Sequence, residues 1–553
     1  MASSPSQIPK WTKHVVTQLG GRDPLGLSRV SFLITDYLLK GIITQTNRAR
    51  YYSFYPWALW HIENSTRPKK YAEFAAAFRR RESFMALATL DSDQEASVVG
   101  VDTARPNLQK YVASGTVDTN FNVLPSNGLG GYGQYYGGSL YNLGLTYRTE
   151  DGADHVTPGT GEALAKAFDG AVRPTKYCGG QYFAADTFPI AVLHNAANRF
   201  SLDSLDQAFA KVEKNLLREL FFSWDPPARS DTDLLRRHTL ALILHTISGF
   251  NKAGFFPPLR HIDQYVVYQP YYYGVRWINS GAPIQYDIPG ALATCYGFWK
   301  QFCAHEYLTQ ALEYLLQAVL QAVTTTPDGM SIDEIAESLT DSTFVSALEK
   351  FFRNARTPSD ALKSIGINNV PSVSSCIKAR QSVGVESSQS ERALFEADDH
   401  EAQQSCAIGM ALLAVLYSKW RNPDDASARY IGLQAGHNLW IGNILPALDN
   451  WFTPANSWKT VIKPLLQGYI LDQHDRIMYE KRRLESCWLH RVDGRVLKDQ
   501  DYAPEFRSSR HWNATHILQD IGLLGINKDD GLFITTDGRQ MLGRVLKSNG
   551  EIK

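Results

Sequence analysis

The C-terminal part of the chain contains the run Leu518-Gln-Asp-Ile521-Gly522-Leu523-Leu524, followed by Gly531-Leu-Phe-Ile534-Thr535-Thr-Asp-Gly538-Arg539-Gln-Met541-Leu542. The first run has the apolar spacing of a short amphipathic helix, and Gly522 supplies the left-handed residue that commonly ends one. Asp529-Asp530-Gly531 predicts a turn before a strand, and Thr535 fits the N-cap of a closing helix. This stretch therefore predicts a helix, a short strand pair and a second helix.

A second stretch, near residues 140–168, repeats this pattern. The matched pairs are Leu140 with Leu518, Leu143 with Ile521, Gly144 with Gly522, Leu145 with Leu523, Gly161 with Gly538, Leu164 with Met541 and Phe168 with Val545. A turn at Asp151-Gly152 lies between the halves, although the gap from threonine to glycine differs by one residue. The shared order of turn chemistry predicts two similar modules that bracket the middle of the chain.

The composition limits the class of protein. A length of 553 residues predicts two to four domains. The 56 Lys and Arg balance 56 Asp and Glu, so any nucleic-acid binding has to come from local patches. Six scattered cysteines without a C-x-x-C pair predict neither a disulfide framework nor a zinc site. No apolar run reaches the roughly 18 residues that span a bilayer, and no signal peptide is visible, so we expect a cytoplasmic protein without a membrane partner.

Apolar periodicity sets the domain organisation. Residues 186–485 have an almost wholly helical pattern, and Asp493-Gly494 between two short alternating runs predicts a hairpin. The predicted domains are an N-terminal arm (1–25), an N-terminal domain ending in the first module (26–185), a helical body (186–485) and a C-terminal domain (486–553). A surface connection is expected over residues 357–391. The predicted fold class is mainly α: a multi-domain helical protein with two α+β modules.

Two N-terminal segments are candidates for nucleic-acid contact. The first, Arg48-Ala-Arg50-Tyr-Tyr-Ser-Phe-Tyr-Pro-Trp-Ala-Leu-Trp-His61, has the densest aromatic content in the chain. It could form a stacking platform with phosphate contacts from Arg48 and Arg50, but its mixed spacing favours a helix that fills the core. The second is the basic run Arg79-Arg80-Arg81, which could contact phosphate or form a solvated helix face.

No common catalytic motif occurs in the chain. We find no H-E-x-x-H, G-x-S-x-G or Walker A motif, and the glycine-rich stretch 128–138 predicts a mobile or closely packed loop. Cys303, His305 and Glu306 would point in different directions from one helix, which predicts a buried thiol and a histidine on the polar face. We therefore expect no cofactor, no metal and no catalysis, with a nuclease site of dispersed residues as an alternative.

The segment 488–548 resembles the winged-helix class of DNA-binding domains through Ile521-Gly522-Leu523 and Ile534-Thr535-x-x-Gly538. The resemblance implies a recognition helix over Trp512–Ile521. Residues that would reach base edges from this helix are Asn513, His516 and Gln519. Residues that would contact phosphates are Arg507, Arg510, Arg539 and Arg544. The aspartates Asp520, Asp529, Asp530 and Asp537 depart from the usual basic charge of this class.

The whole chain also resembles uncharacterised bacterial proteins of phage-defence loci. Together these features predict a non-catalytic, nucleic-acid-associated adaptor or sensor subunit of a multi-protein complex in prokaryotic antiviral defence. Its expected partners are DNA, with RNA as the alternative, and other protein subunits. A protein scaffold without nucleic-acid binding is the second hypothesis, and a nuclease is the third.

Overall fold

A computed structural model describes residues 23–548 of the chain, with gaps. The gaps are residues 66–67, 69, 151–152, 225–226, 229, 277, 279–283, 325, 350, 353–354, 366–400, 421–425, 453–455 and 482–486. Most of the predicted N-terminal arm, most of the predicted connection over 357–391 and the turn at Asp151-Gly152 therefore lie outside the described residues.

The protein is mainly helical, as predicted. The α-helices are α1 (Ser28–Leu38), α2 (Tyr51–Ser65), α3 (Tyr71–Ser92), α4 (Val101–Ser114), α5 (Gly137–Asn142), α6 (Thr160–Val172), α7 (Lys176–Gly179), α8 (Ile190–Phe200), α9 (Lys211–Phe221), α10 (Asp231–Lys252), α11 (Ala293–Val323), α12 (Ile332–Ser338), α13 (Ser342–Leu348), α14 (Pro358–Ile365), α15 (Ala402–Trp420), α16 (Ala426–Ala435), α17 (Ile441–Trp451), α18 (Trp458–Leu465), α19 (Asp472–Lys481), α20 (His511–Asp520) and α21 (Thr536–Lys547). Among the described residues, π-helical segments cover Tyr132–Tyr136, Asp263–Tyr273 and Leu466–Leu471. In the described part of the chain, no helix is both long and apolar enough to cross a membrane.

The strands are short and form small antiparallel sheets. They are β1 (Thr116–Asp118), β2 (Thr146–Arg148), β3 (Asp154–Val156), β4 (Thr187–Pro189), β5 (Val275–Arg276), β6 (Ile284–Gln285), β7 (Met330–Ser331), β8 (Leu489–Val492), β9 (Arg495–Lys498), β10 (Leu524–Ile526) and β11 (Leu532–Ile534). The pairs are β1–β4, β2–β3, β5–β6 and β10–β11, and the order β7-β9-β8 makes a three-stranded sheet.

The chain divides into two compact units, each built from separated stretches. One unit combines the residues up to Phe32 with Ala304–Arg507, and the other combines Leu33–Cys303 with Ser508–Lys553. These divisions lie at other positions than the predicted domain boundaries, and they assign both repeated stretches to the same unit. The last segment returns to the earlier one because helix α21 and strand β11 pack on helix α10.

The unit containing Ala304–Arg507 holds the predicted hairpin. Strands β8 and β9 flank Asp493 and Gly494, whose φ angles of 49° and 78° give the left-handed pair that a type I′ turn requires. Strand β7 adds to the other edge of β9 by pairing Met330 with Val496. A two-residue strand has too little alternation to be predicted from sequence.

The unit containing Leu33–Cys303 has an aromatic core around helix α2. All residues from Tyr51 to Leu59 on this helix are buried. The Tyr52 ring lies 5.0 Å from that of Phe221, and the Tyr55 ring stacks on Phe78 at 6.1 Å. The aromatic segment therefore packs as a core helix, the interpretation that its mixed spacing favoured.

Candidate nucleic-acid interface

The two repeated stretches form the same arrangement of helix, hairpin and helix. One module consists of α5, β2, β3 and α6, and the other of α20, β10, β11 and α21. Their hairpins share one register: Thr146 pairs with Val156 in the first module, and Leu524 with Ile534 in the second. The repeat predicted from turn chemistry is thus present in the structure.

The turn at the start of each hairpin is built from the same hydrogen bonds. Gly144 and Gly522 have φ angles of 70° and 72°. The hydroxyl of Thr157 donates to the Gly144 carbonyl at 2.7 Å, and that of Thr535 donates to the Gly522 carbonyl at 2.8 Å. Each threonine oxygen also accepts a backbone N–H from the first turn of the closing helix, that of Gly161 or Gly538. Thr535 is the N-cap of α21, as the sequence predicted, whereas the N-cap position of α6 is Gly159 and Thr157 precedes it by two residues.

The N-terminal arginines predicted to contact phosphate have partners within the chain. Arg48 is 8 % exposed; its Nε lies 3.1 Å from Asp520 Oδ2 and its Nη2 lies 2.5 Å from Asp203 Oδ1. Arg50 and Glu213 form a fully buried bidentate pair with N–O distances of 3.1 and 3.2 Å. Both guanidinium groups are therefore committed to holding this unit together.

The run Arg79-Arg80-Arg81 lies on helix α3, and its three side chains differ in solvent exposure. Arg81 is 1 % exposed and donates to the Ala77 carbonyl at 2.8 Å. The side chain of Arg80 pairs with Asp186 at 3.0 Å, and that of Arg79 donates to Asn120 at 3.1 Å. Arg79 and Arg80 are half-buried, so this run does not form a uniformly solvated face.

Arg507 and Arg510 are also internally paired, each within its own unit. Arg507 lies 2.5 Å from Glu313, which is fully buried, and its backbone N–H donates to Glu306 at 2.7 Å. Glu306 and His305 are both buried, so the predicted placement of His305 on a polar face is wrong. Arg510 is 6 % exposed and lies 2.6 Å from Asp36.

Helix α20, the predicted recognition helix, turns one polar face inward. The side-chain amide of Asn513 is buried and donates to the Thr44 carbonyl at 2.8 Å. The outward face carries Trp512, which is exposed, together with the half-buried His516 and Gln519. Burial and the charge of Arg48 lower the pKa of His516 to about 4, so its imidazole is neutral at pH 7.

A basic surface lies on helices α9 and α21, and we call it the α9–α21 face. Its cations are Lys211, Lys214, Arg218, Arg544 and Lys547, whereas Arg539 lies about 140° around helix α21 from Arg544. Two ion pairs link the helices: Arg218 lies 2.8 Å from Asp537, and Arg544 lies 2.9 Å from Glu219. Five cations against these two carboxylates leave the face with a net charge of +3, and the remaining carboxylate of α9, Glu213, is buried against Arg50. No intrachain partner of Lys211, Lys214 or Lys547 occurs among the described residues.

No protein-family model, curated protein or solved structure matches this chain.

Of the residues predicted as phosphate contacts, Arg544 belongs to the α9–α21 face, whereas Arg539 donates to the Ile534 carbonyl at 2.9 Å. The contribution of helix α9 was missed from the sequence, although Lys211, Lys214 and Arg218 follow the spacing of one helical face. That spacing indicates a basic face on helix α9. It does not indicate that α9 packs next to α21. Within the described ranges, no group of three or more His, Cys, Asp or Glu side chains is arranged to hold a metal ion.

Proposed function

We propose that this protein is a non-catalytic adaptor subunit that associates with nucleic acid through the α9–α21 face. The observation that supports the proposal is a local charge of +3 on two helices of a chain whose net charge is zero. Such a patch attracts phosphates over a distance of about one Debye length, roughly 8–10 Å at physiological salt. DNA is the expected ligand, with RNA as the alternative.

The proposal puts the phosphate contacts on α9 and α21 rather than on the outward face of α20. Asn513 faces inward, His516 is neutral at pH 7, and the nearby hairpin tip carries Lys528 beside Asp529 and Asp530. An acidic tip repels phosphates, so base reading by this helix and tip is not part of the proposal. Winged-helix membership and a role in antiviral defence stay predictions.

The test replaces Lys211, Lys214 and Lys547 with glutamine in one variant. Each phosphate contact contributes about 0.9 to the slope of log affinity against log salt concentration. We expect weaker binding of a DNA duplex and of single-stranded RNA, with a slope reduced by roughly 2–3 for whichever ligand is bound. Fluorescence anisotropy over a series of salt concentrations measures both quantities.

The matched control replaces Lys110, Lys166 and Lys176, which are exposed elsewhere in the same unit, with glutamine. This variant has the same change in net charge and should keep the affinity and salt slope of the unaltered protein. Equal losses in the two variants, or no binding of DNA or RNA by the unaltered protein at low salt, would overturn the proposal.

A further inference from the structure

An exposed aromatic surface lies on the first module. None of its residues belongs to the α9–α21 face. Tyr141 at the end of α5 is 60 % exposed, and Tyr147 on strand β2 is 41 % exposed. The Tyr147 ring stacks beside His155 of strand β3, with 5.6 Å between ring centroids and an interplanar angle of 30°. We call these three residues, with the charged groups described next, the hairpin patch.

The hairpin patch is acidic. Glu63 of helix α2 lies 2.6 Å from His155 Nδ1, and Glu150 is exposed in the β2–β3 connection. Arg148 supplies a cation, but its guanidinium pairs with Asp154 at 2.8 and 3.2 Å. The carboxylates of Glu63, Glu150 and Asp154 and the guanidinium of Arg148 give the patch a net charge of −2. This sum does not include His155.

The second module shows that the exposed tyrosines are not needed for folding. Matching Leu140 with Leu518 puts Gln519 at the position of Tyr141. The cross-strand pair Tyr147–His155 corresponds to Gly525–Phe533, in which the Phe533 ring covers the place that a Gly525 side chain would take. The same hairpin therefore forms without a tyrosine at either position, and the exposed tyrosines Tyr141 and Tyr147 have no tyrosine counterpart in the second module.

We infer that the hairpin patch binds a lysine- and arginine-bearing segment of a partner protein. Exposed tyrosine rings attract cations through their π faces, and the nearby carboxylates add charge complementarity. A nucleic acid would meet repulsion from the net negative charge, and a wholly apolar partner would bury these carboxylates without counter-ions. The inference concerns a surface separate from the proposed nucleic-acid face and does not depend on it.

The test measures binding of fluorescent peptides to the full chain by anisotropy. The probes are a panel of lysine- and arginine-rich peptides and matched peptides in which acetyl-lysine and citrulline remove the charge. We expect basic peptides to bind and uncharged ones to lose at least tenfold in affinity. Replacing Tyr141 and Tyr147 with alanine, or Glu63 and Glu150 with glutamine, should each reduce basic-peptide affinity at least fivefold.

Two further variants separate this inference from a general effect of charge or folding. Tyr147→Phe keeps the aromatic ring and should keep the affinity, and Tyr71→Ala removes another exposed tyrosine and should also keep it. Melting temperature and DNA binding should be unchanged in all of the patch variants. Binding of no basic peptide, equal binding of the uncharged panel, equal loss in Tyr71→Ala, or preferential binding of single-stranded nucleic acid at the patch would overturn the inference.

Discussion

At the scale of single residues, several arginine side chains form ion pairs in the interior of the protein. The pair of Arg50 and Glu213 has no exposed side-chain surface, and Arg507 contacts a fully buried glutamate. A guanidinium suits this use because it is always charged and offers several donors in a fixed plane. Such pairs add little net stability over apolar residues, but losing one partner leaves an uncompensated charge in the core. Arg50 and Arg507, both predicted to contact phosphate, are therefore ion-pair partners of buried glutamates.

We expect Arg50→Met to lower the free energy of unfolding by about 3–5 kcal/mol, because Glu213 would stay buried without its cation. Urea denaturation followed by circular dichroism measures the change. The double variant Arg50→Met with Glu213→Leu removes both charges and should recover part of the loss. If Arg50→Met is as stable as the unaltered protein, the structural role of Arg50 is contradicted.

Glu82 makes stability depend on pH. Its carboxylate accepts from the Tyr55 hydroxyl at 2.8 Å and from the Gly131 N–H at 2.9 Å, and burial raises its pKa from 4.5 to about 7. The folded protein therefore holds this proton between pH 4.5 and 7 while the unfolded chain releases it, so stability falls as pH rises through that window. The shift in pKa corresponds to a loss of about 3 kcal/mol in the free energy of unfolding across this window.

The expected result is measured by comparing Glu82→Gln with the unaltered protein at several pH values. Glutamine stays neutral, so the stability of the variant relative to the unaltered protein should increase from pH 4.5 to pH 7. Because other buried carboxyls titrate equally in both proteins, the difference isolates Glu82. A difference that does not change with pH would show that this carboxyl titrates normally.

At the scale of elements, the glycines in the first turn of each closing helix show why the two modules share a pattern. A Cβ at Gly161 would lie 2.3 Å from the Leu145 carbonyl oxygen, and one at Gly538 would lie 2.1 Å from that of Leu523. Backbone oxygens cannot move away as a flexible side chain can, so these positions need glycine for close approach. The closing helix packs directly against the residue after the left-handed turn in both modules.

Gly538→Ala should therefore destabilise the protein by roughly 1–3 kcal/mol, a typical cost of overpacking. Gly543→Ala is the control, since it lies in the same helix with nothing within 4 Å of its Cβ position. There alanine should be neutral or stabilising by up to about 1 kcal/mol, because it has the higher helix propensity. Urea denaturation of both variants checks the prediction, and equal effects would argue against the close contact.

At the scale of the whole molecule, the C-terminal module belongs to a unit formed mainly by the first half of the chain. The side chain of Asn251 on helix α10 donates to the Leu532 carbonyl at 3.1 Å and accepts the Ile534 N–H at 2.9 Å. A backbone bridge also joins Pro258 to Gly531. The last segment thus packs as a structural part of this unit.

Truncation after Arg507 should destabilise the unit formed by Leu33–Cys303, because it removes the apolar faces of α20 and α21 from the core. We expect faster amide hydrogen exchange in helix α10, measured by mass spectrometry. A chain ending at Ser548 controls for shortening as such. Unchanged protection of α10 in the truncated protein would show that the C-terminal segment is an independent domain.

The sequence by itself determined the mainly helical class, the hairpin at Asp493-Gly494 and the repeated order of helix, hairpin and helix. These features depend on apolar periodicity and on turn residues whose effects act over a few neighbouring positions. Only the tertiary structure decided which arginines are covered and where a basic surface remains. Arg48 meets Asp520 across 472 positions, and the α9–α21 face joins helices more than 300 residues apart. Such contacts arise from packing between distant segments, and that packing leaves no local pattern in the sequence.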